Sequence, residues 1–253
     1  MSKKVLIGLP VFQRDWILPT WFDYVERQDF PLSDIGFIFE LGPNDDATHN
    51  VLLDWHEKHP QVECFQGEIR MELHHEHHPD GMRLWSLARY VTMATMRNNL
   101  LERATAMQDK FDYYFSLDSD ILLEKPDTLS RLVNYAEAYP NCVVSPLTYM
   151  TPDTKLFPSV MSWRDHIGGR AYRDSEYPIG QPFLADIVMA AVLMPREVYT
   201  QVRYRCHRQG EDLGFAGQLS LFNFKSLAAS DIFCPHIMHR YMLEPYLNKG
   251  ITA

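Results

Sequence analysis

Phe111-Asp112-Tyr113-Tyr114-Phe115-Ser116-Leu117-Asp118-Ser119-Asp120 is a mostly apolar run that ends on two carboxylates. The aromatic and aliphatic residues from Tyr113 to Leu117 predict a buried β-strand. Side chains two residues apart on extended backbone share a face, so Asp118 and Asp120 point the same way at the strand's C-terminal end. In open α/β sheets, ligands bind outside those ends. Neighbouring carboxylates repel, and a divalent cation is the simplest means of keeping both ionised. A hard oxygen site of this kind suits Mg2+ or Mn2+ bridging a diphosphate. The competing reading is that the two acids merely cap the turn before a helix opened by Pro126, and the pair alone does not decide.

Outward from this strand the chain alternates. Upstream, Val5 to Leu9 predicts a strand ended by Pro10, and Asp15 to Arg27 a helix with Trp16, Ile17, Phe22, Tyr24 and Val25 at helical spacing. Ile35 to Phe39 predicts a second strand, Gly42 to Asp46 a loop, Ala47 to Lys58 a helix and Val62 to Phe65 a third strand. A long helix is expected from Met82 to Met107, with Leu84, Leu87, Ala88, Val91, Met96 and Leu100 as its apolar face. Downstream, the Pro126 helix runs to about Tyr139, and Val143 to Ser145 is another strand. This rhythm predicts an α/β fold, a mainly parallel twisted sheet with helices on both faces.

Beyond Pro146 the periodicity fades, and residues 147 to 182 are expected to hold a short hairpin around Gly168-Gly169. Regularity returns with the apolar run Ile187 to Met194. It continues with helices over Pro195 to Val202 and Gly210 to Phe222, and a last strand over Leu227 to Met238. No repeat or long linker divides the 253 residues, so a single domain over 1–253 is expected.

Hydrophobic residues make up 46% and charged residues 23%, the balance of a folded chain rather than a disordered one. A net charge of -9 excludes a surface built throughout for nucleic acid or anionic membrane, but not a local basic groove. Arg203, Arg205, His207 and Arg208 form such a local cluster, which Arg164, Arg170 and Arg173 could extend. The apolar stretch after Met1 to Lys4 is too short for a secretory leader, and Ile187 to Met194 is far below the roughly 20 residues that span a bilayer. Cys64, Cys142, Cys206 and Cys234 are scattered, with no CxxC pair, which predicts free thiols. A soluble, cytoplasmic chain is expected.

Further clusters bear on chemistry. Gly210-Glu211-Asp212-Leu213-Gly214-Phe215 puts acids at a helix start, where the dipole alone welcomes them. The functional reading is a general base for an acceptor hydroxyl. Cys234-Pro235-His236-Ile237-Met238-His239-Arg240 follows the last strand; three-residue spacing points the two histidines apart unless the backbone turns. One of them can complete a metal site. His74-His75-Glu76-His77-His78 reads either as a transition-metal tract or as a loop over the mouth of the site. Tyr149, Trp163 and Tyr172 either stack on a sugar or base or simply pack.

The order of these signals resembles the GT-A glycosyltransferases, most closely glycosyltransferase family 2, over nearly the full chain. Val5-Leu-Ile-Gly-Leu-Pro10-Val-Phe-Gln13-Arg14 resembles the family's opening strand ending in Pro-Val-Tyr-Asn-Arg. Phe37-Ile-Phe-Glu40-Leu-Gly42-Pro-Asn-Asp45 resembles its acidic strand end followed by Gly-Ser-x-Asp, and Met96-Arg97-Asn98 its Ala-Arg-Asn helix segment. The resemblance implies a Rossmann-like GT-A fold, with 1–120 as a nucleotide-sugar-binding half ending in the Asp-x-Asp motif and 121–253 as an acceptor-binding half. It implies that Pro10, Gln13 and Arg14 line the nucleotide pocket, with Glu40 at the base. Arg97 would contact the nucleotide, Asp118 the ribose with Ser119 beside it, and Asp120 a Mn2+ or Mg2+ ion. His239 would join the metal, because Cys234-Pro-His-Ile-Met-His239 resembles Cys-Ser-Arg-Val-Gly-His of polypeptide GalNAc-transferases. Asp212 would be the catalytic base of an inverting enzyme, with Glu211 as second choice. Leu41 departs from the family's usual acid, and the Gln-x-x-Arg-Trp motif of processive synthases is missing.

The implied activity is metal-dependent transfer from a nucleotide-sugar, a UDP-sugar first, to an acceptor hydroxyl on a glycan, small molecule, protein or modified DNA base. The arginine cluster would suit an anionic acceptor. Two other readings stay open. A sugar-phosphate nucleotidyltransferase would share the sheet and the cation, but it should carry a glycine-rich phosphate loop where Gly8-Leu9-Pro10-Val11-Phe12 stands. A non-catalytic carbohydrate-binding module would bind without turnover.

Overall fold

Seven consecutive buried residues, Val5–Val11, form the first strand, β1, and only a strand covered on both faces can bury so unbroken a run. The computed structural model describes residues 2–42, 46–68, 86–151, 156–164 and 168–247. After β1 come α1 (Leu18–Glu26), β2 (Ile35–Leu41), α2 (Thr48–Lys58), β3 (Cys64–Glu68), α3 (Leu87–Ala106), β4 (Tyr113–Leu117), α4 (Thr128–Ala138) and β5 (Cys142–Leu147). Short strands follow: β6 (Tyr149–Thr151), β7 (Leu156–Pro158), β8 (Val160–Arg164), β9 (Gly168–Ala171), β10 (Pro182–Ala185), β11 (Ile187–Val188) and β12 (Ala191–Pro195). The described chain closes with α5 (Arg196–Tyr199), α6 (Glu211–Leu221), β13 (Lys225–Phe233) and α7 (Glu244–Leu247).

Eight strands make one sheet in the order β10-β13-β5-β12-β4-β1-β2-β3. Only β12 and β10 run against the rest, so the sheet is mainly parallel, as the alternation of strands and helices implied. Alternate residues feed two cores. Val5, Ile7 and Leu9 of β1 pack with Trp21 and Phe22 of α1, Leu52 and Trp55 of α2, and Leu129 and Leu132 of α4. Leu6 of β1 points the other way, into a core with Leu100 and Leu101 of α3, Val198 and Tyr199 of α5, and Phe215 and Leu219 of α6. The period of two along the strand thus sorts the helices onto opposite faces. Gly8 leaves room on β1 for the Tyr114 side chain, whose hydroxyl and ring edge a Cβ there would overlap.

Several boundaries differ from the sequence reading. The run Ile187 to Met194 does not form one element. It breaks at Ala190, which takes a left-handed φ of 69°, so β11 joins a small sheet with β8 and β9 while β12 enters the main one. The last strand ends at Phe233 rather than Met238, because Ile237 N–H turns to donate to the Asp120 carbonyl at 2.7 Å. The long helix begins at Leu87, with Ser86 Oγ accepting from the Arg89 amide at 3.2 Å; Met82 to Trp85 fall outside the described residues. The hairpin expected around Gly168-Gly169 is the antiparallel pair β8 and β9. All four cysteines are free thiols. Among the described residues no helix is long and apolar enough to cross a membrane.

Candidate active site

Beyond the C-terminal ends of β1 and β4 lies a cavity of about 790 Å³. Its floor follows from local backbone. At the end of β1, Gln13 adopts a left-handed φ of 50°, turning the chain so that Arg14 folds inward; the Arg14 amide donates to Thr48 Oγ1 at 2.7 Å. At the end of β4 the Asp118 amide donates to the Ala190 carbonyl at 3.0 Å, and Ser119 Oγ donates to the Pro10 carbonyl at 3.2 Å. Two non-glycine residues with left-handed backbone, Gln13 and Ala190, therefore line one cavity, the place where strain of this kind collects.

Arg97, from the middle of α3, is 3% exposed and ties the walls together. Its Nη2 donates to Asp118 Oδ1 at 2.8 Å, its Nη1 to Ser116 Oγ at 3.1 Å and its Nε to Glu211 Oε1 at 3.2 Å. The guanidinium also lies 5.4 Å from the Tyr204 ring centroid. Burial opposes its charge, but Asp118, Tyr204, Asp212 and Glu211 outweigh burial and hold its pKa well above the ordinary arginine value. Arg97 is thus engaged with the chain's own carboxylates, and the nucleotide contact that the sequence suggested for it has these as competitors.

Glu211 and Asp212 enter at the start of α6. Gly210, at the helix N-cap, has φ of 127°, a conformation that only glycine takes readily. Asp212 is half-buried in the cavity wall. Burial, then Glu211 and Asp118, push its carboxyl well above the usual range, with Arg97 pulling the other way. Asp118 is likewise raised, by burial first, while Arg97 lowers it.

The second aspartate of the pair has different partners. Asp120 Oδ2 accepts from Arg14 Nη2 at 3.1 Å, and Asp120 Oδ1 lies 3.4 Å from His236 Nε2. An antiparallel bridge between Ile121 and His236 brings that imidazole in. His236 is buried; His239 is exposed, lines the cavity and stacks on Tyr241 with centroids 5.5 Å apart. The imidazole beside Asp120 is therefore that of His236 rather than His239. The difference arises because the chain leaves the strand at Phe233 and turns.

Of the sequence-predicted residues, Pro10, Gln13, Arg14, Arg97, Asp118, Ser119, Asp120, Glu211, Asp212 and His239 all line the cavity. Glu40 does not. It is 1% exposed and accepts from Asn99 Nδ2 at 2.8 Å and faces Arg103 Nη2 at 3.1 Å, which makes it an anchor between β2 and α3. The sequence reading missed Arg89, Tyr90, Met93 and Met96, which share the cavity face of α3 with Arg97. The spacing 89, 93 and 97 is one stripe of a helix and could have flagged them. The His74 to His78 cluster lies outside the described residues.

Among the described residues, no group of three or more His, Cys, Asp or Glu is arranged to hold an ion by itself. Mg2+ and Mn2+ commonly take one or two carboxylates and complete their shell with phosphate oxygens and water. One carboxylate and one imidazole, Asp120 and His236, fit that partial role beside a diphosphate.

A mainly parallel sheet, with one acid pair after β4 and a second at the start of α6, fits the GT-A type glycosyltransferase fold that the sequence resembles. Residues 2–151 match the family model described as glycosyltransferase family 25, N-terminal domain, and the chain belongs to that family. A glycosyltransferase 25 family member of Aedes aegypti is 25% identical over 134 residues, 53% of this chain and 22% of its own length. One of Drosophila melanogaster is 24% identical over 139 residues, 52% of this chain and 21% of its own. The matched region thus spans about a fifth of those curated relatives. Among solved structures, the mannosyltransferase PcManGT from Pyrobaculum calidifontis, in complex with GDP-Man and Mn2+, shares the fold with a TM-score of 0.60 at 16% identity, covering 94% of this chain and 58% of that one. S. aureus TarS in complex with UDP-GlcNAc has a TM-score of 0.58 at 12% identity, covering 94% of this chain and 60% of that one. The GT-A class read from the sequence holds, and family 25 is the family within which the chain falls.

Proposed function

We propose that the cavity binds a nucleotide-sugar, a UDP-sugar by preference, and transfers the sugar with inversion to an acceptor hydroxyl. The observation that supports this most is the meeting of two acid sets across one cavity: Asp118 and Asp120 at the end of β4, Glu211 and Asp212 at the start of α6. A donor half over 1–120 and an acceptor half over 121–253 would then face each other there. The bound nucleotides of the two structural neighbours, GDP-Man with Mn2+ and UDP-GlcNAc, are of the proposed donor class.

In this reading Asp120 and His236 would hold a Mg2+ or Mn2+ ion, which would neutralise charge on the departing diphosphate. Pro10, Gln13 and Ser119 bound the nucleotide's place, with Asp118 on the ribose. Glu211 accepts from Arg97 and so is fixed, which leaves Asp212 as the carboxylate that takes the acceptor's proton. Burial raises its carboxyl pKa, so once ionised it takes a proton more avidly than an ordinary carboxylate. Arg205 and Arg208 are exposed on the segment leading into α6, outside the cavity lining, and their charge would suit an anionic acceptor such as DNA carrying a modified base.

The test is a panel of nucleotide-sugars with Mn2+ or Mg2+, scoring donor hydrolysis and thermal stabilisation of the chain. At least one donor should do both. Silence toward every donor overturns the proposal.

A further inference from the structure

Both oxygens of Asp120 already face nitrogen atoms: Oδ2 accepts from the Arg14 guanidinium at 3.1 Å, and Oδ1 lies 3.4 Å from His236 Nε2. Arg14 is not a passing surface contact. Its side chain is 15% exposed and Asp120's is 7% exposed. The guanidinium is bent back on its own turn, with Nη1 donating to the Phe12 carbonyl at 3.2 Å and to the Gln13 carbonyl at 3.3 Å. The left-handed Gln13 sets that turn. A partly buried guanidinium against a carboxylate is a strong, directional contact. A divalent cation that came to Asp120 alone would have to displace it, and would also meet its positive charge.

We propose that Arg14 guards Asp120 against a lone cation and yields it when a diphosphate arrives. The inference rests on the reading above, in which Asp120 takes a divalent cation beside a nucleotide diphosphate. Arginine's fork matches phosphate oxygens as well as it matches a carboxylate. An arriving diphosphate gives Arg14 a second anionic partner within the same cavity, so the guanidinium can leave Asp120 without losing its compensation. The carboxylate oxygen it vacates is then open to the cation. No bond is made or broken in this exchange. Diphosphate and cation therefore bind with positive cooperativity, and by linkage each raises the other's affinity by the same factor. Arg14 is a positioning residue in this scheme, acting on the cation through Asp120.

The experiment is a Mn2+ titration of the whole chain, followed by electron paramagnetic resonance of the unbound ion, alone and with saturating UDP or GDP. In the wild type, either nucleotide should tighten Mn2+ by about tenfold or more. Arg14→Gln should bind Mn2+ alone about tenfold more tightly than the wild type, lose most of the gain from nucleotide, and bind UDP more weakly. Arg14→Lys, which keeps a cation without the fork, should fall between, and it decides the matter should Arg14→Gln fail to fold. Mn2+ affinity without nucleotide that is unchanged or weaker in these variants overturns the guard, while leaving the metal site standing if Asp120→Asn abolishes binding. Mn2+ binding that is missing throughout, or indifferent to Asp120→Asn, removes the metal reading and the guard with it.

Discussion

Arg97 and Glu211 stand 114 positions apart in the chain and 3.2 Å apart in the fold, and the same guanidinium reaches Asp118 at 2.8 Å. One side chain on α3 therefore fixes an acid from each of the two sets that meet in the cavity. Buried carboxylates need such a partner, since an uncompensated charge out of water is costly. The arrangement couples the integrity of the fold to that of the site.

Arg97→Met should accordingly cost both. With the pair broken and Glu211 left buried, the loss expected is about 3 kcal/mol, the usual cost of removing one partner from a buried ion pair. Urea unfolding reads it directly, and transfer should fall in parallel. A midpoint that barely moves would mean that solvent, not Arg97, compensates these acids.

Much of this framework was legible in the sequence. Val5 to Leu9 and Tyr113 to Leu117 are short and apolar, which marks them as strands before any contact is known, although β1 runs on through Pro10 to Val11 rather than stopping at the proline. The acids at the end of β4 and the start of α6 were visible for the same local reason. What was hidden depends on long-range backbone contacts. A left-handed alanine at 190 has no signature of its own, so the split of Ile187 to Met194 between two sheets could not be foreseen. The bridge from Ile121 to His236 likewise joins segments more than a hundred residues apart, and with the turn after Phe233 it brings His236 to Asp120. Glu40 ended a strand as the family pattern asks, yet Asn99 and Arg103 claim it from outside the cavity.

The raised pKa of Asp212 carries a stability consequence of definite sign. Burial comes first among its causes, then Glu211, and the folded chain therefore holds this proton more tightly than the unfolded one. Stability falls as pH rises from the unfolded carboxylate value, about 3.9, through the raised folded value. Asp212→Asn removes that penalty and should melt higher than the wild type at pH 7, with the difference shrinking as pH falls toward the unfolded carboxylate value. The same variant should keep donor binding and lose transfer, while wild-type turnover climbs with pH as Asp212 ionises. Retained transfer in Asp212→Asn would reject it as the base.

Gly214 offers a more local probe. A Cβ at this position would sit 1.8 Å from the Arg205 carbonyl oxygen, so the segment before α6 crosses the helix where no side chain can stand. Gly214→Ala must push backbone against backbone, at an expected cost of about 2 kcal/mol. Asp212 is only two residues away, and a shifted helix start should reduce turnover more than donor affinity. A variant as stable as the wild type, measured by urea midpoint, would show that the crossing relaxes freely.

The two histidines give the sharpest choice between sequence and structure. Resemblance favours His239, whereas geometry puts His236 Nε2 3.4 Å from Asp120 Oδ1 and leaves His239 exposed against Tyr241. A buried imidazole beside a carboxylate loses little entropy on meeting a cation, while an exposed one has first to be ordered. His236→Ala should weaken Mn2+ binding in the presence of UDP by about tenfold or more, the scale on which lost partners act at metal sites. His239→Ala should change it little. The reverse pattern would mean that the segment from Cys234 to Arg240 rearranges when donor and cation bind, bringing the exposed ring inward and restoring the family's assignment.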